Sequence, residues 1–449
     1  MPEFDLLLRG GAVVTEKAVR PMDIGVGNGK IVALEANLSA PARAEIDASG
    51  LHVFPGVIDA HVHFNEPGRT DWEGIETGSR AFAAGGGTVF FDMPLNAHPP
   101  TIDVEAFDLK LAAAQKNSLT DFALWGGLVP QNSCRLEGLA ARGVIGFKAF
   151  MCHSGMDDFP SVDEALLREG MKCAAQLKLP VAVHAESESL TKSLTLEKMA
   201  RGGTSVRDYL DSRPIAAELD AIRLALDLAG ETGCALHVVH VSSGAGIVLI
   251  AEAKQRGVDV SCETCPHYLL LIEEDMEKLG AVAKCAPPLR TAAAQQQLWQ
   301  CVLAGAVTTV GSDHSPSPSE LKQDKDFFKV WGGISSVQHT LSLLLSCGGP
   351  GDEVIPLLAG LLAANVARQF KIPAKGRLDV GCDADFALVD LRRNFQVCAK
   401  DLLYRHRQSP YIGRTLRGRV VRTILRGQTI FLDDKMVAKP AGRLVKPAS

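Results

Sequence analysis

A chain of 449 residues is too long for one simple core, though it fits a barrel of about 250 residues or more with a smaller domain beside it. Hydrophobic residues make up 46% and charged residues 22%, as in ordinary soluble globular proteins, and a net charge of -5 offers no basic footprint for nucleic acid. No apolar run approaches the roughly 18 residues that span a bilayer, and Met1-Pro2-Glu3-Phe4-Asp5 lacks the basic and apolar parts of an export signal, so neither membrane insertion nor secretion is expected.

The first fifty residues read as short strands, Asp5 to Arg9, Ala12 to Thr15, Asp23 to Val26 and Lys30 to Leu34, broken at Gly10-Gly11 and Gly27-Asn28-Gly29. After Pro55 apolar strand-like runs alternate with stretches of helical period, the pattern of βα units around a parallel sheet. One such helix follows Pro214, with Ile215, Leu219, Ile222 and Leu226 on one face. The candidate parallel strands are Phe54 to Ala60, Thr88 to Asp92, Phe122 to Gly126, Val144 to Lys148, Val181 to His184, Leu236 to His240, Val258 to Cys262 and Val307 to Asp313. Eight such units close a (β/α)₈ TIM barrel, an α/β fold. Beyond Pro373 short strands return in Gly376-Arg377-Leu378, Ala384 to Asp390 and Val420 to Leu425. The expected organisation is a barrel over 54–373 and a small β-sandwich domain made from 1–53 and 374–449.

Cysteines number 11 and are scattered, with only Cys262-Glu263-Thr264-Cys265 bringing two close, which suits structural, reduced thiols in a cytoplasmic protein.

Barrel enzymes carry their chemistry at the C-terminal ends of the strands. His61 and His63, two apart on a strand, point to one side and grip one metal ion together with Asp313. His184 and His240 hold a second from the opposite side. Lys148 between two cations is useful only if neutral or chemically converted, and reaction with CO₂ gives a carbamate whose two oxygens bridge the ions. Two ions about 3.5–4 Å apart share a hydroxide whose formation is eased by a bound-water pKa near 7, and Asp313 takes its proton and passes it to a leaving nitrogen. Each residue has a plainer reading. Lys148 alone is a solvated strand end, Asp313 a helix cap before Ser315-Pro316, and His237 or His267 a hydrogen-bonded structural histidine.

The chain resembles the cyclic amidohydrolases, the family of dihydroorotase, dihydropyrimidinase or hydantoinase, and allantoinase. The resemblance runs through Gly29-Lys30-Ile31-Val32-Ala33-Leu34, Asp47-Ala48-Ser49-Gly50-Leu51, Phe147-Lys148-Ala149-Phe150, Gly376-Arg377-Leu378 and Gly381-Cys382-Asp383-Ala384-Asp385. It implies a barrel flanked by a β-sandwich, hydrolysis of ring amides, two divalent ions bridged by a carboxylated Lys148, and a homotetramer. Zinc is implied as the metal, while cobalt and manganese suit the same donors.

Within the family the allantoinase branch is most similar, through His61-Val62-His63-Phe64-Asn65-Glu66-Pro67-Gly68-Arg69, Met93-Pro94-Leu95-Asn96, Cys265-Pro266-His267-Tyr268, Lys284 to Arg290, Ser312 to Pro316, Trp331-Gly332-Gly333-Ile334 and Ser409 to Gly413. Asn65 stands where dihydroorotases carry a carboxylate-binding arginine, so the resemblance implies a neutral ureido substituent, as in allantoin. His153 stands where hydantoinases carry an oxyanion tyrosine, leaving His153, Ser154 or a metal alone for that role. Backbone groups near Cys285 to Ala286 and Trp331 match positions that hold the ring amide, and Ser315 is counted with them. Asn96 is either a polar substrate contact or a turn residue before Pro99-Pro100. The alternatives are a hydantoinase or dihydropyrimidinase of other specificity, and a catalytically silent scaffold.

Overall fold

A computed structural model describes residues 4–133, 135–348 and 353–448. Its parallel strands are Val57–Val62, Gly87–Asp92, Asp121–Leu124 with its continuation Gly126–Gly127, Phe147–Phe150, Val181–His184, Leu236–Val238, Val260–Thr264 and Thr309–Val310. Strands buried on both faces read as near-continuous apolar runs, and every residue of Val57–Val62 and Gly87–Asp92 is buried.

The first three strands pair in chain order in one sheet, and Gly126–Gly127 begins a second that runs in order to Thr309–Val310. Hydrogen bonds from Ile145 N to Leu124 O and Gly126 N to Gly146 O join the third strand to the fourth across that break. At the other edge Val62 bridges His314 in parallel, with His63 N donating to His314 O at 2.8 Å.

Helices lie between the strands, several started by side-chain caps such as Asp103 to Ala106 N, Asp163 to Leu166 N and Thr291 to Ala294 N. In the helix Ile215–Thr232 the buried face includes Glu218, Ile222, Leu226 and Ala229, whereas Ile215 and Leu219 are only half-buried.

The ends of the chain meet in one mixed sheet whose order is Lys435–Met436, Gln428–Leu432, Thr415–Leu425, Phe386–Gln396, His52–Pro55, Leu6–Val14, Val19–Gly27 and Lys30–Glu35, with Glu45–Asp47 also beside Leu6–Val14. Two expectations change here. Gly10-Gly11 does not end a strand but shifts register within Leu6–Val14: Gly10 has φ +66°, and a Cβ on Gly11 would come within 2.7 Å of Val53. The apolar run at 53–58 also divides, because Gly56 separates His52–Pro55, paired with Phe386–Gln396, from Val57–Val62. Only glycine fits that crossing, since a Cβ would stand 2.2 Å from Thr88 Oγ1.

A buried ion cluster pins this sheet to the parallel strands. Lys375 Nζ lies 2.7 Å from Asp121, 2.7 Å from Asp385 and 2.9 Å from Asp383, and Arg426 pairs with Asp121 from the other side. Those carboxylates hold the Lys375 ammonium well above the ordinary lysine range despite its burial.

Candidate active site

The strand ends bring His61, His63, His184, His240 and Asp313 around one cavity of about 530 Å³. His61 Nε2 lies 3.2 Å and His63 Nε2 3.4 Å from Asp313 Oδ1. On the other side His184 Nδ1 faces His240 Nε2 at 2.9 Å, and the rings of His61 and His240 lie 5.5 Å apart.

His240, Asp313 and Lys148 sit differently from the sequence expectation. The strands containing Leu236 and Thr309 end before His240 and Asp313, because both adopt left-handed backbone, with φ of 39° and 45°. Lys148 lies within its strand rather than closing it, since pairing with Val181–His184 begins at Phe147.

Burial drives His63, His184 and His240 below the usual histidine range, which keeps their imidazoles neutral with a lone pair to offer. Burial would raise the Asp313 carboxyl, but His61, His63 and His267 outweigh it and hold it well below the usual carboxylate range. The Lys148 amine is buried without a hydrogen-bond partner and is pushed down to about 7 by desolvation, against Asp313 and Glu263. An amine whose charge is weakened by burial, set near imidazoles and one carboxylate, is a donor set for divalent cations.

A second layer orients these donors. Glu263 Oε1 accepts from His61 Nδ1 at 2.8 Å, and Glu186 Oε2 from His184 Nε2 at 2.8 Å, so the opposite nitrogen of each ring is left facing the cluster. Arg213 pairs with Glu186 at 2.5 Å. Burial opposes ionisation of both carboxyls, yet their cationic and imidazole partners hold each down to about 2. Asp59 accepts from the backbone of His61 and of Ser312, tying the first strand to the chain just before Asp313, and burial pushes it up to about 7. Glu218 accepts from Ser242 N and the hydroxyls of Ser242 and Ser243, fixing the turn after His240.

Glu186, Glu263 and Arg213 escaped the sequence reading. A legible signal existed: Glu263 continues an apolar run, and Glu186 follows His184 with the period of two that places both on one side of an extended chain.

Cys152, His184 and Glu186 also group within 4.8 Å. Glu186 is already paired with Arg213, and burial pushes the Cys152 thiol up to about 12, so no thiolate is offered.

The remaining predicted residues divide. Asn96, His153, Ser154, Cys285, Ser315 and Trp331 line the cavity. Asn96 Nδ2 lies 3.3 Å from His63 Nδ1 and 3.4 Å from Ser315 Oγ. The Ser154 hydroxyl is committed to Phe159 O at 2.5 Å, while the His153 ring accepts from Gly155 N at 3.1 Å. Cys285 presents backbone, its carbonyl taking the Tyr209 hydroxyl at 2.9 Å.

Asn65 is not among the lining residues. Its backbone turns at φ 64°, and its buried amide donates to Pro316 O at 3.3 Å. His237 is hydrogen-bonded to Ser261 at 2.8 Å as expected, whereas neither ring nitrogen of the buried His267 has a protein hydrogen-bond partner among the described residues, and its ring packs on Tyr268 with centroids 4.2 Å apart. Among the described residues no helix is long and apolar enough to cross a membrane.

Comparison with known proteins agrees with this architecture. An amidohydrolase family model matches residues 52–430. The allantoinase of Rubrobacter xylanophilus is 55% identical over 448 residues, covering 100% of this chain and 98% of that one. The allantoinase of Deinococcus radiodurans is 52% identical over 449 residues, covering 99% of each. Among solved structures, L-hydantoinase (dihydropyrimidinase) from Arthrobacter aurescens superposes with a TM-score of 0.96 at 34% identity, over 99% of this chain and 100% of that one. With the family model spanning most of its length and full-length relatives above half identity, the chain belongs to the amidohydrolase family.

Proposed function

We infer that the protein is a metal-dependent hydrolase that opens the hydantoin ring of allantoin to allantoate. The observation that carries the substrate is full-length identity of 55% and 52% to proteins named allantoinase, with candidate ligands present at every expected position. His61, His63 and Asp313 fit one divalent ion and His184 and His240 a second, with Lys148 fitting the bridge as a carbamate. Zinc is our assignment, cobalt and manganese being alternatives with the same donors. Such ions supply Lewis acidity and lower the pKa of water to about 7.

The chain's own groups do the rest. Asp313 accepts the proton of the attacking water at a carboxylate oxygen and returns it to the ring nitrogen as the C–N bond breaks. Ser154 has its hydroxyl occupied by Phe159, which favours His153 as the side chain facing the developing oxyanion. Backbone at Cys285, Ala286 and Trp331, together with Asn96 and Ser315, forms the walls for the ring and its ureido arm.

We also read the eight parallel strands as one (β/α)₈ barrel over 54–373, supported by chain-order pairing and the bridge from Val62 to His314. The mixed sheet is read as a β-sandwich domain from 1–53 and 374–449. A cytoplasmic homotetramer completes the proposal.

The test is the initial rate of protein incubated with metal and bicarbonate on allantoin, hydantoin, dihydrouracil and dihydroorotate at equal concentration. Dominant allantoin turnover is expected. Dominant hydantoin or dihydrouracil turnover would keep the mechanism and replace the substrate, an alternative that similarity to a solved L-hydantoinase also fits. Silence on all four would favour a scaffold.

A further inference from the structure

Two lysines beside the cavity have no carboxylate within ion-pair distance among the described residues, and both spend their ammonium groups on backbone carbonyls. Lys284 donates to Phe327 O at 2.6 Å, Val330 O at 2.6 Å and Phe328 O at 3.4 Å. Its nitrogen also lies 4.5 Å from the Tyr209 ring centre and 5.1 Å from that of Phe327. Lys322, from the other flank, donates to Gly333 O at 2.9 Å, Ala281 O at 3.1 Å and Trp331 O at 3.2 Å.

The segment these bonds gather contains no helix or strand, yet Phe328, Val330, Trp331 and Gly332 line the catalytic cavity. A loop without its own ladder is ordered by whatever satisfies its backbone groups. Here the two ammonium groups take the carbonyls of Phe327, Phe328, Val330, Trp331 and Gly333, while N–H groups of the segment go to Thr204 O, Asp326, Leu321 O and Lys284 O. The arrangement is costly. Desolvation pushes Lys284 down to about 7 and Lys322 down to about 8, so a lysine serving packing alone would be better replaced by an apolar side chain.

We propose that Lys284 and Lys322 are paired positioning residues that hold segment 327–333 as the ring-facing wall of the cavity. The proposal rests on the reading of this cavity as a ring-amide site. Its logic is preorganisation: a wall ordered before substrate arrives does not charge its ordering entropy to binding. The candidate metal ligands and Asp313 stand on the parallel strands and the turns that follow them, so loosening this wall should affect binding more than the chemical step.

The test compares Lys284→Met and Lys322→Met, which keep an unbranched stem without the donor, with Lys284→Arg, which keeps the charge. For each, kcat, KM on the best wild-type substrate, bound metal, thermal midpoint and tryptic cleavage after Lys325 and Lys329 are measured. The expected result is KM raised by about tenfold or more with kcat within about twofold, bound metal unchanged, cleavage accelerated, and partial rescue by arginine. Unchanged KM and cleavage would overturn the proposal, as would a fall in kcat and bound metal with KM unchanged. If Lys284→Met does not fold, Lys322→Met alone carries the same decision. Cleavage needs no substrate, so a failed substrate assignment and a failed clamp remain distinguishable.

Discussion

Glu263 meets His61 across 2.8 Å, carboxylate to Nδ1, from a position 202 residues further along the chain. That contact decides which nitrogen of the imidazole carries the proton and leaves Nε2 free to face Asp313. Glu263→Gln removes the charge while keeping the shape. Metal affinity, read by competition with a chelator, should fall roughly 10–100-fold. An unchanged affinity would remove the orienting role.

Lys148→Ala should abolish activity and lower the number of ions bound, because two cations would then face each other without a bridging anion. Short-chain carboxylic acids should restore part of the rate. A fully active alanine variant would end the carbamate argument and most of the two-ion arrangement with it.

Carbamate formation needs the free amine, and Lys148 in the metal-free chain sits at about 7. Below that value the amine is protonated and unreactive towards CO₂; above it the amine is neutral. Metal-stripped protein given metal and CO₂ at matched dissolved concentration should therefore regain activity faster at about pH 8 than at about pH 6. A flat profile would separate activation from the state of Lys148.

Asp313→Asn keeps an oxygen near His61 and His63 but cannot shuttle a proton. With metal content matched to wild type, kcat should drop by roughly 10²–10⁴. A loss explained wholly by missing metal would assign Asp313 to ligation alone.

Lys375→Met leaves Asp121, Asp383 and Asp385 facing one another with their shared cation gone. Removing one partner from a buried ionic cluster costs about 3–5 kcal/mol, measurable as a lowered denaturation midpoint. A loss below about 1 kcal/mol would mean that Arg426 and Lys30 take over the charge.

Residues that follow apolar runs were legible because a strand's period and its buried composition both appear in order along the chain. That reading brought out His61, His63 and His184 as candidates, and the structure sets all three on one cavity. Lys148, His240 and Asp313 were found as residues but misplaced by a few positions, since left-handed turns at His240 and Asp313 are set by tertiary context that no propensity records. Glu263 looked like one more residue of a Cys-Glu-Thr-Cys segment, because its partner His61 lies on a strand distant in sequence. Asn65 shows the opposite failure: a motif position predicted a substrate contact, while its backbone turn sends the amide to Pro316. Gly10-Gly11 misled through its ordinary meaning, since two glycines more often mark a turn than a bulge packed under Val53.

Gly56 is the only residue between a strand gripped by Leu6–Val14 on one side and Phe386–Gln396 on the other and the strand that carries His61. Successive side chains on a strand face opposite ways, so one residue gained or lost at this crossing would turn His61 away from the cavity and bring Ala60 or Val62 into its place. The first candidate metal ligand is thus counted off from a ruler anchored by both ends of the chain. An insertion in a surface loop lengthens a rim, whereas an insertion here would exchange the side chains presented to the cavity.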